Sequence, residues 1–496
     1  MFSSIQFFPS SSSPSRERFS ALLGLLLGTW VAAGCGSAGT MMPPSPSGTT
    51  DVIVLLASTT NDKLVSFRVE ITNVTLTDQK GKQVTLYNNP NTVGNGIPSE
   101  YVEFEHLNGS SAPLVTVSIP QGTYTSGAVK VGRCEFWAVS VNSSGGLVNS
   151  GYSEGLCGQG TGDTTISIPS PITISGTAMA LSLNLQVPQS YTLNGTGASA
   201  SYSISPVFTL SPAVISSQPT NDQNGQLTGI NAQITSVNAA ASTLVAQTSD
   251  GISLTVNSDS NTAYQGITGF SALTAGMLVN LDAAIQRIDA SLLATRVEVD
   301  DPAQPTLVNG LNLAPFNVVN GDGFEMSVIE LENCAGSGDP ACSSSFEFSS
   351  NTVFKISGEF SNLQNLPFAA TFNSTNFFPG QNVSVFAHSN VSAATITLSP
   401  QTINGTVTAV SSSNGFSAYT VALAPYDPIP TIQSQVGPIT RSTSPSIVIV
   451  YADANAHLLN SVPITVGSLL RLHGVIFDDN GTLRMDCNLV RDGVPE

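Results

Sequence analysis

The run Val65-Ser66-Phe67-Arg68-Val69-Glu70-Ile71 sets the period of the first half of the chain. Val65, Phe67, Val69 and Ile71 alternate with Ser66, Arg68 and Glu70, a period of two that predicts a strand with one buried face. After Asn73 the apolar set changes phase to Val74 and Leu76, which predicts a bulge or a bend. Gln79-Lys80-Gly81-Lys82 reads as a hairpin tip, with Val84 and Leu86 on the returning strand. Val115, Val117 and Ile119 alternate again, and Pro120-Gln121-Gly122-Thr123-Tyr124 turns the chain. Leu181, Leu183, Leu185 and Val187 predict a further strand, and residues 206–210 a last one. No segment carries a helical period. Many short strands joined by turns predict a β-sandwich over residues 51–216.

Residues 217–226 (SQPTNDQNGQ) read as a linker, and behind them the chain repeats itself. INAQITSV at 230–237 matches INGTVTAV at 403–410, and a weaker copy begins at Val308-Asn309-Gly310. Each copy reaches a second mark, a glycine just before an apolar strand: Gly276, Gly380 and Gly467. Each ends on a strand, placed at Val297, Ile396 and Met485. The reading is three copies of one small β-unit of about five strands, over 227–301, 302–400 and 401–492. The second carries the Cys334–Cys342 loop as an insertion, and the third a Pro-rich insertion over 425–445.

The short runs ITNVTL (71–76), IPQGTY (119–124) and SPVF (205–208) fall in the order seen in a family of bacterial lipoprotein domains. Residues 51–216 thereby resemble the domain-of-unknown-function 4382 family, which implies a prealbumin/Ig-like sandwich and supplies no catalytic residues. In place of the acidic turn expected after its first strand stands Ser58-Thr59-Thr60-Asn61-Asp62. The repeats resemble the domain-of-unknown-function 5666 family, which implies small closed barrels of OB-like character. The expected architecture is all-β: an N-terminal prealbumin/Ig-like β-sandwich followed by three small OB-like β-barrel units.

Compartment is read from the start of the chain. Arg16 and Arg18 precede an apolar run over 21–33, and Ala32-Ala33-Gly34 lead to Cys35. The run has the length of a signal-peptide core and is too short to span a bilayer. It resembles a bacterial lipobox, which implies cleavage before Cys35 and acylation of its thiol. Residues 1–35 are then a lipoprotein signal peptide, and the lipid bilayer is a partner through acylated Cys35. Gly36 after the cysteine implies sorting to the outer membrane in a Gram-negative cell. Residues 36–50, rich in Pro, Ser and Gly, form a flexible tether.

Composition narrows the function classes. Lys plus Arg is 15 against 33 acidic residues, a net charge of −18, which disfavours nucleic acid as a partner. In an oxidising compartment Cys134 with Cys157, and Cys334 with Cys342, read as local disulfides. Cys487, in a strand-like run, reads as a buried thiol.

Gly151-Tyr152-Ser153-Glu154-Gly155 matches G-x-S-x-G, but the run LCGQGTGDTT behind it is no helix, so a loop is expected and not a nucleophile elbow. His106, His388, His457 and His473 are not spaced as metal ligands, and no metal or cofactor is expected. His473 is expected on the outer face of a barrel strand. Asn257-Ser258-Asp259-Ser260-Asn261 alternates oxygen ligands but lacks the glycine and terminal Glu of a calcium loop. Asn320-Gly321 and Asn480-Gly481 read as hairpin tips. Trp137, Tyr152 and Tyr426 are candidates for ligand contact, on a sugar platform. The expected function is a lipid-anchored, non-enzymatic binding or assembly protein with a glycan or an envelope protein as partner. The alternatives are an envelope hydrolase using Ser153 or Asp300 and Asp301, and a structural stalk or adhesin component.

Overall fold

The structure is a computed structural model, which describes residues 48–59, 64–89, 102–104, 107, 110–141, 147–157, 162–194, 201–220, 224–248, 251–299, 306–318, 321–332, 345–360, 363–387, 392–424, 427, 429–430, 446–459 and 462–492. The lipobox with Cys35, residues 36–47 of the tether, His106, Asp300, Asp301, Cys334, Cys342, His388 and Tyr426 lie outside these residues, as do the side chains of Trp137, Tyr152 and Ser153. The last two tether residues, Thr49 and Thr50, instead open the first strand, with Thr50 fully buried.

The N-terminal sheet is built from β1 (Thr49–Thr59), β2 (Leu64–Asp78), β3 (Gln83–Asn88), β4 (Val102–Glu103), β5 (Ala112–Pro120), β6 (Gly122–Val141), β7 (Leu147–Leu156), β8 (Gly162–Ser167), β9 (Ile172–Ile174), β10 (Ala178–Gln186) and β13 (Phe208–Ala213). A small hairpin, β11 (Tyr191–Asn194) and β12 (Ser201–Ile204), stands apart from it. The path runs β3-β2-β6-β8-β13-β10-β1-β5, and its ends β3 and β5 meet again, so the sheet wraps as a sandwich around one core. At its centre β1 is buried on both faces, from Val52 to Leu56. Within the sheet, β10 lies parallel on one side of it and β5 antiparallel on the other.

Two details of the sandwich differ from the sequence reading. Val187 is not in the strand of Leu181, Leu183 and Leu185. It opens the helical turn α1 (Val187–Ser190), where Pro188 cannot serve a sheet ladder. Glu70, placed on the polar face of β2, is buried at 1% exposure. The pairing of β2 with β6 slips between Val69 and Ile71, and the Glu70 carboxylate there accepts the Arg133 backbone N–H at 2.8 Å. A side chain at Gly132 would place its Cβ 2.0 Å from that carboxylate, so the glycine makes room for it.

The rest of the chain is three small barrels. The first has β14 (Gln226–Asn238), β15 (Thr243–Gln247), β16 (Ser253–Asn257), β17 (Ala263–Gln265), β18 (Leu278–Ile285) and β19 (Leu292–Glu298). The second has β20 (Thr306–Val318), β21 (Gly321–Glu332), β22 (Ser345–Phe348), β23 (Val353–Ile356), β24 (Asn382–Ala387) and β25 (Ala393–Leu398). The third has β26 (Gln401–Ser413), β27 (Phe416–Leu423), β28 (Ile447–Leu459), β29 (Leu469–Asp479) and β30 (Thr482–Asp492). Numbering the main strands of each unit one to five, the ring order is 1-2-3-5-4. Closure is a parallel contact between strands three and five: β16 on β19, β28 on β30, and a bridge from Glu347 to Ser392 in the second unit. This is the five-stranded, OB-like arrangement. The short strands β17 and β23 each lie parallel on strand five, and the far end of β28 does the same from His457 to Leu459.

The copies agree residue by residue. Gly276, Gly380 and Gly467 have φ of +92°, +99° and +91°, the region where a side chain is strained. Their N–H groups donate to the carbonyls of Ile234, Asn312 and Val407, and each first strand bulges just beyond that residue. Across the ring, Ile230 faces Leu281 and Leu281 faces Val297; Val308, Val385 and Ile396 repeat the rung, as do Ile403, Leu472 and Val490. Met485 lies on the last strand as expected, and the residue of that strand that completes the rung is Val490. A slip between His473 and Gly474 shifts the pairing that simple alternation would give. Both insertions fall in the same connection, between strands two and three.

The units do not hang as separate beads. One continuous core joins the sandwich to the first barrel, leaving between them a cleft of about 60 Å³ beside Leu107, Pro113, Ile230 and Ile252. Phe378 of the second unit packs into the core of the third, while Val475 and Phe477 of the third enter the core of the second.

Candidate functional site

Two places gather the residue types that bind ligands. The first is the hairpin of β6 and β7. A disulfide joins Cys134 to Cys157 at its base, with Cα atoms 5.0 Å apart. Register places Trp137 opposite Tyr152 and Phe136 opposite Ser153, so two of the candidate residues are cross-strand partners. Ser153 therefore sits inside a strand, where a nucleophile elbow needs a strand-to-helix turn.

The second place is the outer face of the third barrel. On β28 the residues Val448, Val450 and Ala452 point into the core, yet Tyr451 between them is also buried, at 5% exposure. A strand apolar on both faces needs a cover on both. The outward set is Phe416 and Ala418 on β27, Tyr451 on β28, and Arg484 and Asp486 on β30. The cover comes from the second unit, from the long connection that follows β23: Leu363, Leu366, Phe368 and Ala370. Phe368 lies on Tyr451 with ring centroids 5.4 Å apart and a 31° tilt, and its other neighbour is Phe477, at 5.6 Å. The Arg484 guanidinium stands 5.6 Å from the Phe368 ring and 5.9 Å from that of Tyr451. Arg484 also donates to the Tyr451 hydroxyl and, at 2.6 Å, to the Asp479 carboxylate.

The electrostatics of this face are acidic. Asp486 pairs in register with Tyr451, and burial pushes its carboxyl up to about 7, with the like charge of Asp453 adding to the effect. Asn488, one place along the same outward row, donates to Glu359 of the second unit. His473 lies on the neighbouring strand, half-buried, with Nδ1 3.1 Å from Thr402 Oγ1. Burial and the nearby Arg491 charge push its imidazole down to about 4, so it stays neutral near pH 7. Cys487 is a buried free thiol that donates to the Leu489 carbonyl, and burial pushes it up to about 12.

The remaining motifs serve the fold. The Asp259 carboxylate of the calcium-like stretch accepts from the backbone and side-chain N–H groups of Asn261, so its own turn uses both oxygens. Asn480 and Gly481, with φ of +53° and +85°, form the tip between β29 and β30. In the first barrel Arg296 is buried between Asp282, at 2.6 Å, and Glu298, and it also donates to Asn280. The cover at 363–370 and the Asp486 environment escape a reading of the sequence. Their one signal is the apolar run on both faces of β28.

No protein-family model matches this chain, and no curated protein matches it. Among solved structures it is similar to a chain titled "drosophila Unr CSD456", at 12% identity and a TM-score of 0.12, covering 54% of this chain and 98% of that one. That score is too low to bear on fold or function.

Proposed function

We propose that this chain is a lipid-anchored, non-enzymatic protein of a bacterial envelope whose task is binding or assembly. The observation that carries the reading is the repetition of one OB-like ring, with both long insertions in the same connection of their units. OB-like barrels hold ligands on the face of strands two and three and on their loops, and binding residues fall disproportionately on loops. The lipobox supports anchoring through acylated Cys35, and Gly36 supports the outer membrane. The resemblances of 51–216 and of the repeats to families of bacterial lipoproteins and secreted proteins support the same compartment. The strongly acidic balance disfavours nucleic acid and leaves a glycan or an envelope protein as the partner.

The test is capture by the chain from Gly36 to Glu496, on purified cell-wall and capsular polysaccharides and on detergent-solubilised envelope proteins. Saturable capture of either supports the reading. Turnover of an envelope ester or glycan that is lost on Ser153→Ala would replace it with a hydrolase.

A second reading, a rigid stalk, is favoured by the interlocked cores of the second and third units. Deleting residues 227–496 without loss of capture would assign binding to the sandwich and leave the barrels as support.

A further inference from the structure

An OB-like barrel presents strands two and three to its ligand. In the first barrel the outward residues of those strands, Gln247, Ser253 and Thr255, are exposed to water. In the third barrel the same face carries Phe416, Ala418 and Tyr451, all buried beneath the segment 363–370. The difference lies in the second unit, which carries between β23 and Gly380 two short 3-10 turns, Gly358–Phe360 and Leu363–Asn365, that lay Phe368 on the third barrel.

We propose that the outer face of β27, β28 and β30 is a binding site for a neutral sugar ring, held shut by Phe368 as its built-in occupant. The contacts of Phe368 describe the ligand. A flat apolar ring rests on the Tyr451 ring, with a guanidinium close by and hydrogen-bonding groups at the edge. A pyranose offers the same apolar face, and its rim of hydroxyls would meet Arg484 and the Asp479 carboxylate, which already bond each other at 2.6 Å. Charge selects among ligands that stack. Arg484 is already bonded to the Asp479 carboxylate, and Asp486 stands in register with Tyr451, so the site offers hydrogen-bonding groups to hydroxyls while its cation is already neutralised against a polyanion. The cover is only part-buried itself, with Gln364, Asn365 and Ala369 exposed, so a ligand reaches its edge without unfolding the barrel. The inference rests on the binding function proposed above and names the place and the chemistry.

The experiment uses the compact unit from Ser45 to Glu496. Cellohexaose and maltohexaose are titrated calorimetrically into the unmodified chain, Phe368→Ser, and Phe368→Ser with Tyr451→Ala. A cover closed about nine-tenths of the time weakens apparent affinity about tenfold. Phe368→Ser is therefore expected to bind one of the hexasaccharides roughly tenfold more tightly, and the double variant to lose that binding. Hydrogen exchange on the unmodified chain is the second measurement. Saturating sugar is expected to speed exchange in 363–370 and to slow it in β28, and this decides the matter if Phe368→Ser does not fold. Equal binding by the unmodified chain and Phe368→Ser, with no change of exchange at 363–370, overturns this site and leaves the binding function standing elsewhere. No binding by either folded chain overturns the sugar-ring site outright.

Discussion

Gly467 precedes β29 and Gly474 lies in its middle, and they are glycine for different reasons. Gly467 has φ +91° and open space where a Cβ would stand, so alanine there meets only backbone strain. Gly474 faces the β30 backbone so closely that a Cβ would lie 2.0 Å from the Asp486 carbonyl oxygen. Gly467→Ala is expected to cost about 1 kcal/mol, and Gly474→Ala about 3 kcal/mol because the strands must part. Urea midpoints of the two variants test the order; equal costs would mean that the close approach is relieved without effort. Asp486, the residue whose carbonyl Gly474 meets, sets a pH dependence of its own. Its folded carboxyl holds its proton up to about pH 7, whereas the unfolded carboxyl releases it near the ordinary value of 3.8. The folded state thus binds more protons between those values, and stability falls as pH rises from about 4 through about 7, then levels off. Asp486→Asn removes that loss. It is expected to stabilise the third barrel at pH 8 by up to about 4 kcal/mol and to change little at pH 4. Denaturation at the two pH values is the check, and a gain that does not depend on pH would refute the assignment.

At the scale of strands, the clearest device is the polar ladder between β18 and β19. Register sets Asp282 opposite Arg296 and Asn280 opposite Glu298, and the guanidinium ties the four together. Arg296→Ala is expected to cost about 3–5 kcal/mol, because it leaves carboxylates buried without their cation. Removing Asp282 as well should cost less than the sum of the two single changes; strict additivity in a double-mutant cycle would deny the coupling. Strands are legible in the sequence where alternation and local turn chemistry agree. INAQITSV and INGTVTAV share not only the alternating set but Thr235 and Thr408, each at the bulge of its strand, and the turn glycines mark the next strand in every copy. Legibility stops where a distant element decides. Glu70 reads as solvent-facing on β2 alone; its burial follows from a slip in β6 and from Gly132. Val490 and not Met485 completes the rung of Ile403 and Leu472, and between them β30 carries one extra residue, Asn488, opposite the step from His473 to Gly474. Residues 363–370 have no period at all, and they pack both on their own unit's core and on the following unit. Trp137 and Tyr152 are separate candidates in the sequence, and only the hairpin register makes them a pair.

For the whole molecule, the grouping of cores matters more than the count of folded units. The sandwich and the first barrel share one core, running from Val52 through Leu185 to Leu227 and Val297. The second and third barrels exchange residues instead: Phe378 is buried among Ile403, Leu472 and Met485, and Phe477 among Phe377, Val383 and Ile396. Gln381 strengthens the exchange by donating to the Ile476 carbonyl at 2.9 Å from a fully buried position. Among the described residues, the two halves share a separate small apolar cluster, a pair formed by Leu278 and Phe386. A unit that fills its neighbour's core cannot unfold without exposing that core to water, so coupling follows shared burial and not sequence repeats. The chain is therefore expected to melt as two blocks, residues 49–299 and 306–492, although its sequence shows four units. Phe378→Ala opens a cavity in the third barrel worth about 3–5 kcal/mol. It should lower the transition of the second and third barrels together and leave the first block where it was. The disulfide gives the opposite control. It closes a loop of 23 residues in the sandwich, so Cys134→Ala with Cys157→Ala should destabilise the first block by about 3 kcal/mol. Calorimetry, with hydrogen exchange to assign each transition, reads both variants. Four independent transitions, or a third barrel that melts alone when Phe378 is truncated, would show that the exchanged residues fill space without coupling the units.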